Sequence, residues 1–184
     1  MTGQAILVLG GTGKTGRRVS RQLAELGYPM KVASRSGKQF FDWHDKGTWS
    51  EALDGVGSVY VVDEQSDKAA SLLADFTEYA RRKKVGRFVL LSLRLMEQWT
   101  DEKSMFAAER AVQNSGAAWT ILRPTWFSQN FSEGAWLDEV LAGSISLPVR
   151  DVQEPFVDVD DIADVVVAAG SWALRRSGRG PLPG

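Results

Sequence analysis

The sequence predicts an α/β protein with a doubly wound parallel sheet, and three observations support this prediction. An apolar, strand-like run at residues 5–9 leads directly into the glycine-rich turn 10–16, and a helical stretch follows from Arg17. Apolar runs then alternate with stretches of helical spacing, which is typical of a parallel sheet covered on both faces. With 184 residues the chain is long enough for one well-buried domain and short for two.

Five further strands are predicted from short apolar runs, at residues 30–34, 40–43, 59–62, 87–92 and 119–122. Helical spacing or flanking residues predict helices at 69–83, 101–114, 134–141 and 159–169, where Gly86 and Gly116 mark two expected helix ends. A last short strand is predicted at 144–147. From Gly170 the periodicity is lost, so we expect a domain of residues 1–169 followed by an irregular tail, residues 170–184.

The glycine-rich turn has the spacing of a Rossmann-type dinucleotide-binding loop. Gly10 suits a tight turn, Gly13 lets the backbone approach a pyrophosphate, and Gly16 lets the helix pack on the strand. Backbone N–H groups and the positive end of the helix dipole would then hold the anion. The predicted cofactor site takes in the rest of the turn as well: Gly11, Thr12, Lys14 and Thr15. Lys14 either adds to the field around the phosphates or is a solvated loop lysine.

The Gly-Lys-Thr sequence inside this turn raises the alternative of a nucleotide triphosphatase loop. That loop requires a glycine five positions before the glycine that precedes the lysine. The required position is Val8, inside the first strand. The register of the motif therefore excludes this alternative.

The end of the second predicted strand favours NADP(H) over NAD(H). NAD-binding units place an acidic residue there for the ribose hydroxyls, whereas this chain has Ser34, Arg35 and Ser36, followed by Lys38. A guanidinium group can hold a 2′-phosphate through charge-assisted hydrogen bonds. We therefore expect Arg35 and Ser36 to bind the adenosine end of NADPH.

The sequence lacks the usual catalytic pair of short-chain reductases at the usual place. Tyr79 and Lys83 match the Tyr-x-x-x-Lys spacing, but they precede the fifth strand, and we interpret the match as chance. The equivalent positions in the next helix are Asp101 and Met105, and neither can act as the phenol or its lysine partner. No catalytic residue is assigned. Hydride addition to an iminium carbon needs no proton donor and suits such a site.

Aromatic residues are concentrated just after the last strand of the alternating pattern. Trp126, Phe127, Phe131 and Trp136 fall within one short segment. Aromatic faces can hold a cationic substrate. Packing in a core or an interface is the alternative interpretation of the same residues.

Five motifs in order make the chain resemble the NmrA-like atypical short-chain dehydrogenases, over residues 5 to about 169. The motifs occupy residues 10–18, 33–37, 41–43, 119–131 and 155–164. Within that group the chain looks most similar to the festuclavine and agroclavine dehydrogenases of ergot-alkaloid synthesis and their bacterial relatives. Members with known activity reduce iminium or related groups, and others sense the nicotinamide redox state without catalysis.

The resemblance also implies roles for particular residues. Asp42 and Trp43 are expected near the adenine, and Ser92 and the segment from Pro124 to Asn130 are expected beside the nicotinamide. The expected substrate pocket consists of Trp126, Phe127, Asn130 and Phe131. Family members usually continue into a small domain that closes the substrate cleft. The resemblance therefore implies a reduced or missing C-terminal substrate domain, with residues about 126–150 as its remnant.

The function expected from these observations is reduction of an imine, an iminium or a related activated double bond of a small, aromatic molecule by NADPH. A non-catalytic NADP(H) sensor and an inactive, shortened reductase are the alternatives. The sequence does not determine the oligomeric state, and a homo-oligomer is one of the alternatives.

Composition narrows the class of partner. A formal net charge of −1 gives no general attraction to nucleic acid, and the basic cluster 81–84 falls at a predicted helix end, where cations complement the dipole. Without cysteine, and with His44 as the single histidine, we expect no metal site. No apolar run reaches the roughly 18 residues needed to span a bilayer, and the first strand begins almost at Met1. We therefore expect a cytoplasmic protein that acts on a small molecule.

Overall fold

A six-stranded parallel sheet forms the centre of the computed structural model, which describes residues 4–64, 66–94, 102–134, 136–146 and 153–176. Its strands are β1 (Ala5–Leu9), β2 (Met30–Ser34), β3 (Gln39–Phe40), β4 (Val56–Val62), β5 (Arg87–Leu91) and β6 (Ala118–Leu122). They lie in the order β3-β2-β1-β4-β5-β6, and every neighbouring pair is parallel. The predicted doubly wound α/β fold is confirmed.

Six α-helices connect or cover these strands in the described part of the chain: α1 (Lys14–Glu25), α2 (Trp49–Leu53), α3 (Ala69–Arg82), α4 (Glu102–Gln113), α5 (Leu137–Leu141) and α6 (Val159–Arg176). Helices α1 and α6 pack on one face of the sheet, and α3 and α4 pack on the other. The side chains of β1 show why both faces need a cover. Ile6 and Val8 join the α1/α6 core, whereas Leu7 and Leu9 join the α3/α4 core.

Four interlocking aromatic rings fill the core on the α3 side. Phe76 makes edge-to-face contacts with Phe41, Trp43 and Trp49, at ring-centroid distances of 5.6, 5.2 and 5.4 Å. Such contacts add to the stabilisation that burial of the rings already gives. They also fix the chain that follows β3, which forms one wall of the site described below.

The predicted helix 159–169 is longer in the structure, where α6 continues to Arg176. Residues 170–176, which were expected in the irregular tail, are therefore helical. Gly170 and Ser171 are buried, and a Cβ at Gly170 would lie 3.7 Å from Ser58 Oγ, so tertiary packing offsets the low helix propensity of glycine. Residues 177–184 lie outside the described residues.

Several short elements also differ from the sequence-based expectation. The third strand covers residues 39–40 instead of 40–43, because Phe41 turns into the core. Residues 144–146 form no strand, and residue 147 lies outside the described ranges. Helix α2 and a small parallel pair, β7 (Trp126–Phe127) with β8 (Phe156–Val157), were not predicted. Helix α3 ends at Arg82, and the left-handed residue that follows the helix is Lys84 (φ 65°) and not Gly86.

Within the residues that the structure describes, no helix is both long and apolar enough to cross a lipid bilayer. The basic cluster 81–84 is exposed to solvent at the end of α3.

Candidate functional site

A cleft of about 510 Å³ opens at the carboxyl edge of the sheet, where β1 and β4 are neighbours. The chain leaves these two strands toward helices on opposite faces, and this arrangement creates a ligand-binding crevice in doubly wound sheets. The cleft brings together seven of the predicted cofactor residues: Gly10, Thr12, Gly13, Arg35, Ser36, Asp42 and Trp43. Ser34, Phe41, His44, Val62, Asp63 and Glu64 complete the lining that the structure describes.

The glycine turn leaves the start of α1 free of side-chain caps. Gly10 adopts a left-handed conformation (φ 65°), and its carbonyl accepts a hydrogen bond of 2.9 Å from the N–H of Gly13. Gly13 is the N-cap residue of α1 and provides no side chain to bond the N–H groups of the first turn. These N–H groups have no partners within the helix, and together with the helix dipole they favour an anion at this point.

Two other glycines of the turn serve packing and do not line the cleft. A Cβ at Gly16 would lie 2.8 Å from both the carbonyl carbon of Gly10 and the Cα of Gly11. A Cβ at Gly11 would collide with Cγ1 of Val32 on β2. Only glycine at these positions lets the turn close against α1 and β2 as it does here.

A buried hydrogen bond anchors the turn to β4. The hydroxyl of Tyr60 donates to Oγ1 of Thr15 over 2.9 Å, and both side chains are buried. Burial raises the pKa of Tyr60, so its hydroxyl stays protonated and remains a donor. Thr15 therefore links the turn to β4 and does not line the cleft.

Tyr60→Phe should lower the free energy of unfolding by about 1 kcal/mol, the usual net value of one buried hydrogen bond. Urea denaturation measures this change. Tyr28→Phe is the control, because Tyr28 is half-buried and its hydroxyl forms no hydrogen bond with the described residues. Equal stability changes in the two variants would contradict the assigned role of the Tyr60 hydroxyl.

Arg35 and Ser36 lie exposed at the rim of the cleft, directly after β2. Within the described chain Arg35 forms no ion pair, so its guanidinium group is available for an anionic ligand. Two nearby carboxylates are already engaged by His44. The backbone N–H of His44 donates to Oδ1 of Asp42 over 2.9 Å, and the ring Nε2 of His44 lies 2.5 Å from Oε2 of Glu64.

Trp43 forms part of the cleft wall and is held there by the aromatic core. Its ring meets Phe41 edge to face at 5.1 Å and Phe76 at 5.2 Å. Asp42 is fixed as well, because its carbonyl accepts a hydrogen bond of 3.1 Å from Nε1 of Trp49. The result is a rigid apolar surface beside the glycine turn, which suits a flat ring such as adenine.

Ser92 and Pro124 follow β5 and β6, at the same edge of the sheet as the cleft but outside its lining. Ser92 Oγ donates to Oε1 of Glu109 over 2.7 Å, and Nε of Arg123 donates to the same oxygen over 2.8 Å. Glu109 is only 3% exposed. The hydrogen bonds from Arg123 hold the pKa of Glu109 below its ordinary value, with a smaller contribution from Ser92 and against the effect of burial.

Glu109→Gln should lower the free energy of unfolding by about 1–2 kcal/mol at neutral pH, because a charged acceptor is lost while Arg123 remains half-exposed. A carboxylate with a lowered pKa stabilises the fold above its unfolded pKa of about 4.3, and this contribution is lost as the pH falls further. The difference between wild type and variant should therefore shrink in acid. Denaturation at several pH values tests this. A stability difference that does not change with pH would contradict the role assigned to the Glu109 carboxylate. Glu78→Gln is the control, because Glu78 belongs to an exposed ion pair with Arg82.

The predicted substrate residues separate into three environments. Trp126 and Phe131 both contact Trp136, at centroid distances of 5.1 and 5.0 Å, and Phe131 also contacts Phe156 at 5.2 Å. Phe127 instead packs on the α1/α6 core. Asn130 faces the glycine turn, where its Oδ1 accepts a hydrogen bond of 2.6 Å from Nζ of Lys14.

Ion pairs and a hydrogen bond attach the aromatic segment, residues 126–136, to α1 and to the start of α6. Arg18 donates to Oε1 of Glu133 over 2.6 Å and to Oδ2 of Asp160 over 3.1 Å. At the start of α6, Gln129 donates to Oδ1 of Asp158 over 2.9 Å. Residues far apart in sequence thus hold the segment next to the glycine turn.

The Tyr79 and Lys83 pair lies at the opposite edge of the sheet, at the end of α3. Tyr79 packs against the ring of Trp49, and Nζ of Lys83 donates to Oγ of Ser50 over 3.1 Å. This placement supports the interpretation of the match as chance. Of the equivalent positions in the next helix, Asp101 lies outside the described residues, and so does the side chain of Met105.

The chain belongs to the NAD(P)H-binding family, whose model matches residues 10–171. It is 32% identical over 179 residues to prestalk A differentiation protein A of Dictyostelium discoideum, covering 89% of this chain and 58% of that protein. It is 30% identical over 191 residues to festuclavine dehydrogenase of Aspergillus fumigatus, covering 94% of this chain and 65% of the relative. The predicted resemblance to these dehydrogenases is confirmed.

Among solved structures, the chain is similar to an NADPH-dependent quinone oxidoreductase of Escherichia coli complexed with NADPH. The TM-score is 0.75 at 19% sequence identity, and the match covers 91% of this chain and 65% of that chain. This likeness concerns the fold. The chain spans 58 to 65% of the length of the two curated relatives.

Proposed function

We propose that the protein is an NADPH-dependent reductase of an imine, an iminium or a related activated double bond in a small, aromatic molecule. The observation that carries the proposal is the cleft, which joins the uncapped start of α1 to the wall formed by Trp43 and to Arg35, a residue with no ion-pair partner among the described residues. These features suit a diphosphate, a 2′-phosphate and an adenine, respectively.

The residues present fit the cofactor. A volume of about 510 Å³ lies within the usual range for small-molecule sites. The turn offers bare backbone at Gly13, where a Cβ would lie 3.2 Å from the carbonyl oxygen of Gly10. Arg35 and Ser36 line the cleft directly after β2 and are exposed, so they are the groups best placed for a 2′-phosphate. Bound NADPH would supply the hydride.

The acceptor side of the proposed site lies beyond β5 and β6. Ser92 and Pro124 follow these strands, and Asn130 lies against the glycine turn through its bond to Lys14. The cluster of Trp126, Phe131 and Trp136 offers aromatic surface that can bind a ring and exclude water. Names of the relatives add support, since one of them is a festuclavine dehydrogenase.

Oxidation of NADPH in the presence of cyclic imines, iminium salts and cationic dyes tests the proposal. We expect turnover with at least one acceptor, faster with NADPH than with NADH. The Arg35→Asp variant is the matched control, because it should lose activity at limiting NADPH while keeping its fold. If the wild-type protein oxidised NADPH with none of these acceptors, the proposal would be contradicted.

A redox sensor without turnover is the second candidate function. It is favoured by the position of Tyr79 and Lys83 at the edge of the sheet opposite the cleft, since this pair cannot supply the usual acid from there. Calorimetry separates the two functions. A sensor should bind NADP⁺ at least as tightly as NADPH and bind none of the acceptors, whereas a reductase should bind an acceptor once the cofactor is present.

A further inference from the structure

His44 lines the nucleotide cleft and is held there from two sides. Its backbone N–H donates to Oδ1 of Asp42, whose carbonyl is in turn bonded by the indole of Trp49. On the other side, the ring Nε2 of His44 lies 2.5 Å from Oε2 of Glu64, which follows β4. The side chain of His44 is nevertheless 55% exposed, so its imidazole remains accessible to a ligand in the cleft.

The lining of this cleft is acidic for a site that is to hold phosphate groups. Asp42 follows β3, and Asp63 and Glu64 follow β4, so carboxylates face His44 from two strand ends. Arg35, after β2, is the single permanent cation among the lining residues that the structure describes. Nearby carboxylates repel a phosphate, so a second positive charge in the lining would strengthen its binding.

His44, the single histidine of the chain, is the lining residue that can supply this charge near neutral pH. Histidine side chains ordinarily change charge in this range, whereas carboxylates ionise at lower pH and arginine stays charged throughout. An ionised carboxylate only accepts hydrogen bonds, so the contact with Glu64 requires a proton on Nε2 of His44. An added proton therefore goes to Nδ1 and turns this hydrogen bond into an ion pair.

We propose that protonated His44 is a second cationic group for the 2′-phosphate, beside Arg35, and that it makes the preference for NADP(H) over NAD(H) depend on pH. This inference rests on the proposed function and adds a specificity-determining residue to its cofactor site. Protonation neutralises the net charge of the His44 and Glu64 pair, which lowers the repulsion of a phosphate in the cleft. As the pH rises and the proton is lost, the preference for NADP(H) declines.

Calorimetric titration with NADP⁺ and with NAD⁺ tests the inference without any reaction. The titrations run from about pH 8.5 to about pH 6.5, where a phosphate monoester keeps most of its charge because its second pKa is about 6. We expect the affinity for NADP⁺ to rise about three- to fivefold as the pH falls through this range, as for an exposed charge pair. The affinity for NAD⁺, which has no 2′-phosphate, should change less.

Two substitutions of His44 separate its charge from a merely structural role, which would weaken binding in both variants at every pH. His44→Gln carries no charge, so its affinity for NADP⁺ should keep the alkaline wild-type value throughout the range. His44→Arg is always charged, and its affinity should keep at least the acidic wild-type value. Lys46→Gln is the matched control, because Lys46 pairs with Asp75 on the surface, outside the cleft lining. This variant should keep the pH dependence of wild type.

The inference is overturned if NADP⁺ binding to wild type does not change with pH, if NAD⁺ shows the same change, or if His44→Gln keeps the pH dependence. Absence of binding by both nucleotides would overturn this inference and the proposed function together. Failure of the proposed function alone is a separate result. In that case no acceptor supports NADPH oxidation, while NADP⁺ binding still depends on pH through His44.

Discussion

Arg35→Asp is expected to weaken NADPH binding by about 1.5–3 kcal/mol, which corresponds to roughly 10- to 150-fold in the dissociation constant. The variant loses a guanidinium group that lies at the rim of the cleft without an ion-pair partner in the described chain. It also places a carboxylate where a 2′-phosphate would bind. NADH has no such phosphate, so its affinity should fall less. Calorimetric titration with both cofactors measures the two changes.

Lys38→Asp provides the control for this prediction. Lys38 is exposed four positions from the end of β2 and does not line the cleft, so the same change of charge should have a small effect on NADPH. Equal losses of NADPH and NADH in Arg35→Asp would show that Arg35 does not select the cofactor. Equal losses of NADPH in the two variants would assign the effect to overall charge alone.

Gly16→Ala is expected to lower the free energy of unfolding by about 3 kcal/mol, the upper end of the usual cost of overpacking. The added methyl group would meet backbone atoms of Gly10 and Gly11, which cannot move aside as a flexible side chain can. Relief of the collision must displace the turn from α1. Nucleotide binding should therefore be lost even at temperatures where the variant stays folded.

Gly86→Ala tests whether this effect is specific to the turn. A Cβ at Gly86 would lie 3.7 Å from the carbonyl oxygen of Gly57, an ordinary contact, and the backbone there is not left-handed. We expect unchanged nucleotide affinity and a stability within about 0.5 kcal/mol of wild type. Thermal denaturation with and without NADPH reports on both properties. Stabilisation of Gly16→Ala by NADPH to the wild-type extent would be evidence against the assigned packing role.

The sequence predicted the sheet well because β1, β5 and residues 59–62 of β4 are largely apolar runs, as expected for strands covered on both faces. The glycine spacing predicted the start of α1 for a similar reason. Turn geometry and helix packing demand glycine at fixed positions, so the pattern is local and visible in the sequence.

Features that depend on distant contacts were not predictable in the same way. Buried Glu109 is paired with Ser92 and Arg123, which follow β5 and β6. No pattern in the sequence near Glu109 predicts these partners. The pair of β7 and β8 joins residues that are 30 positions apart. The sequence left two roles open for Lys14, and only the fold places its amine against Asn130.

A crystal structure of this chain with NADPH is the most direct test of the central claim, which is that the uncapped start of α1 receives a dinucleotide. We expect the diphosphate to accept hydrogen bonds from backbone N–H groups of the turn between Gly10 and Gly16, with the 2′-phosphate against Arg35. A nucleotide bound elsewhere, or a diphosphate held away from the first turn of α1, would contradict the claim.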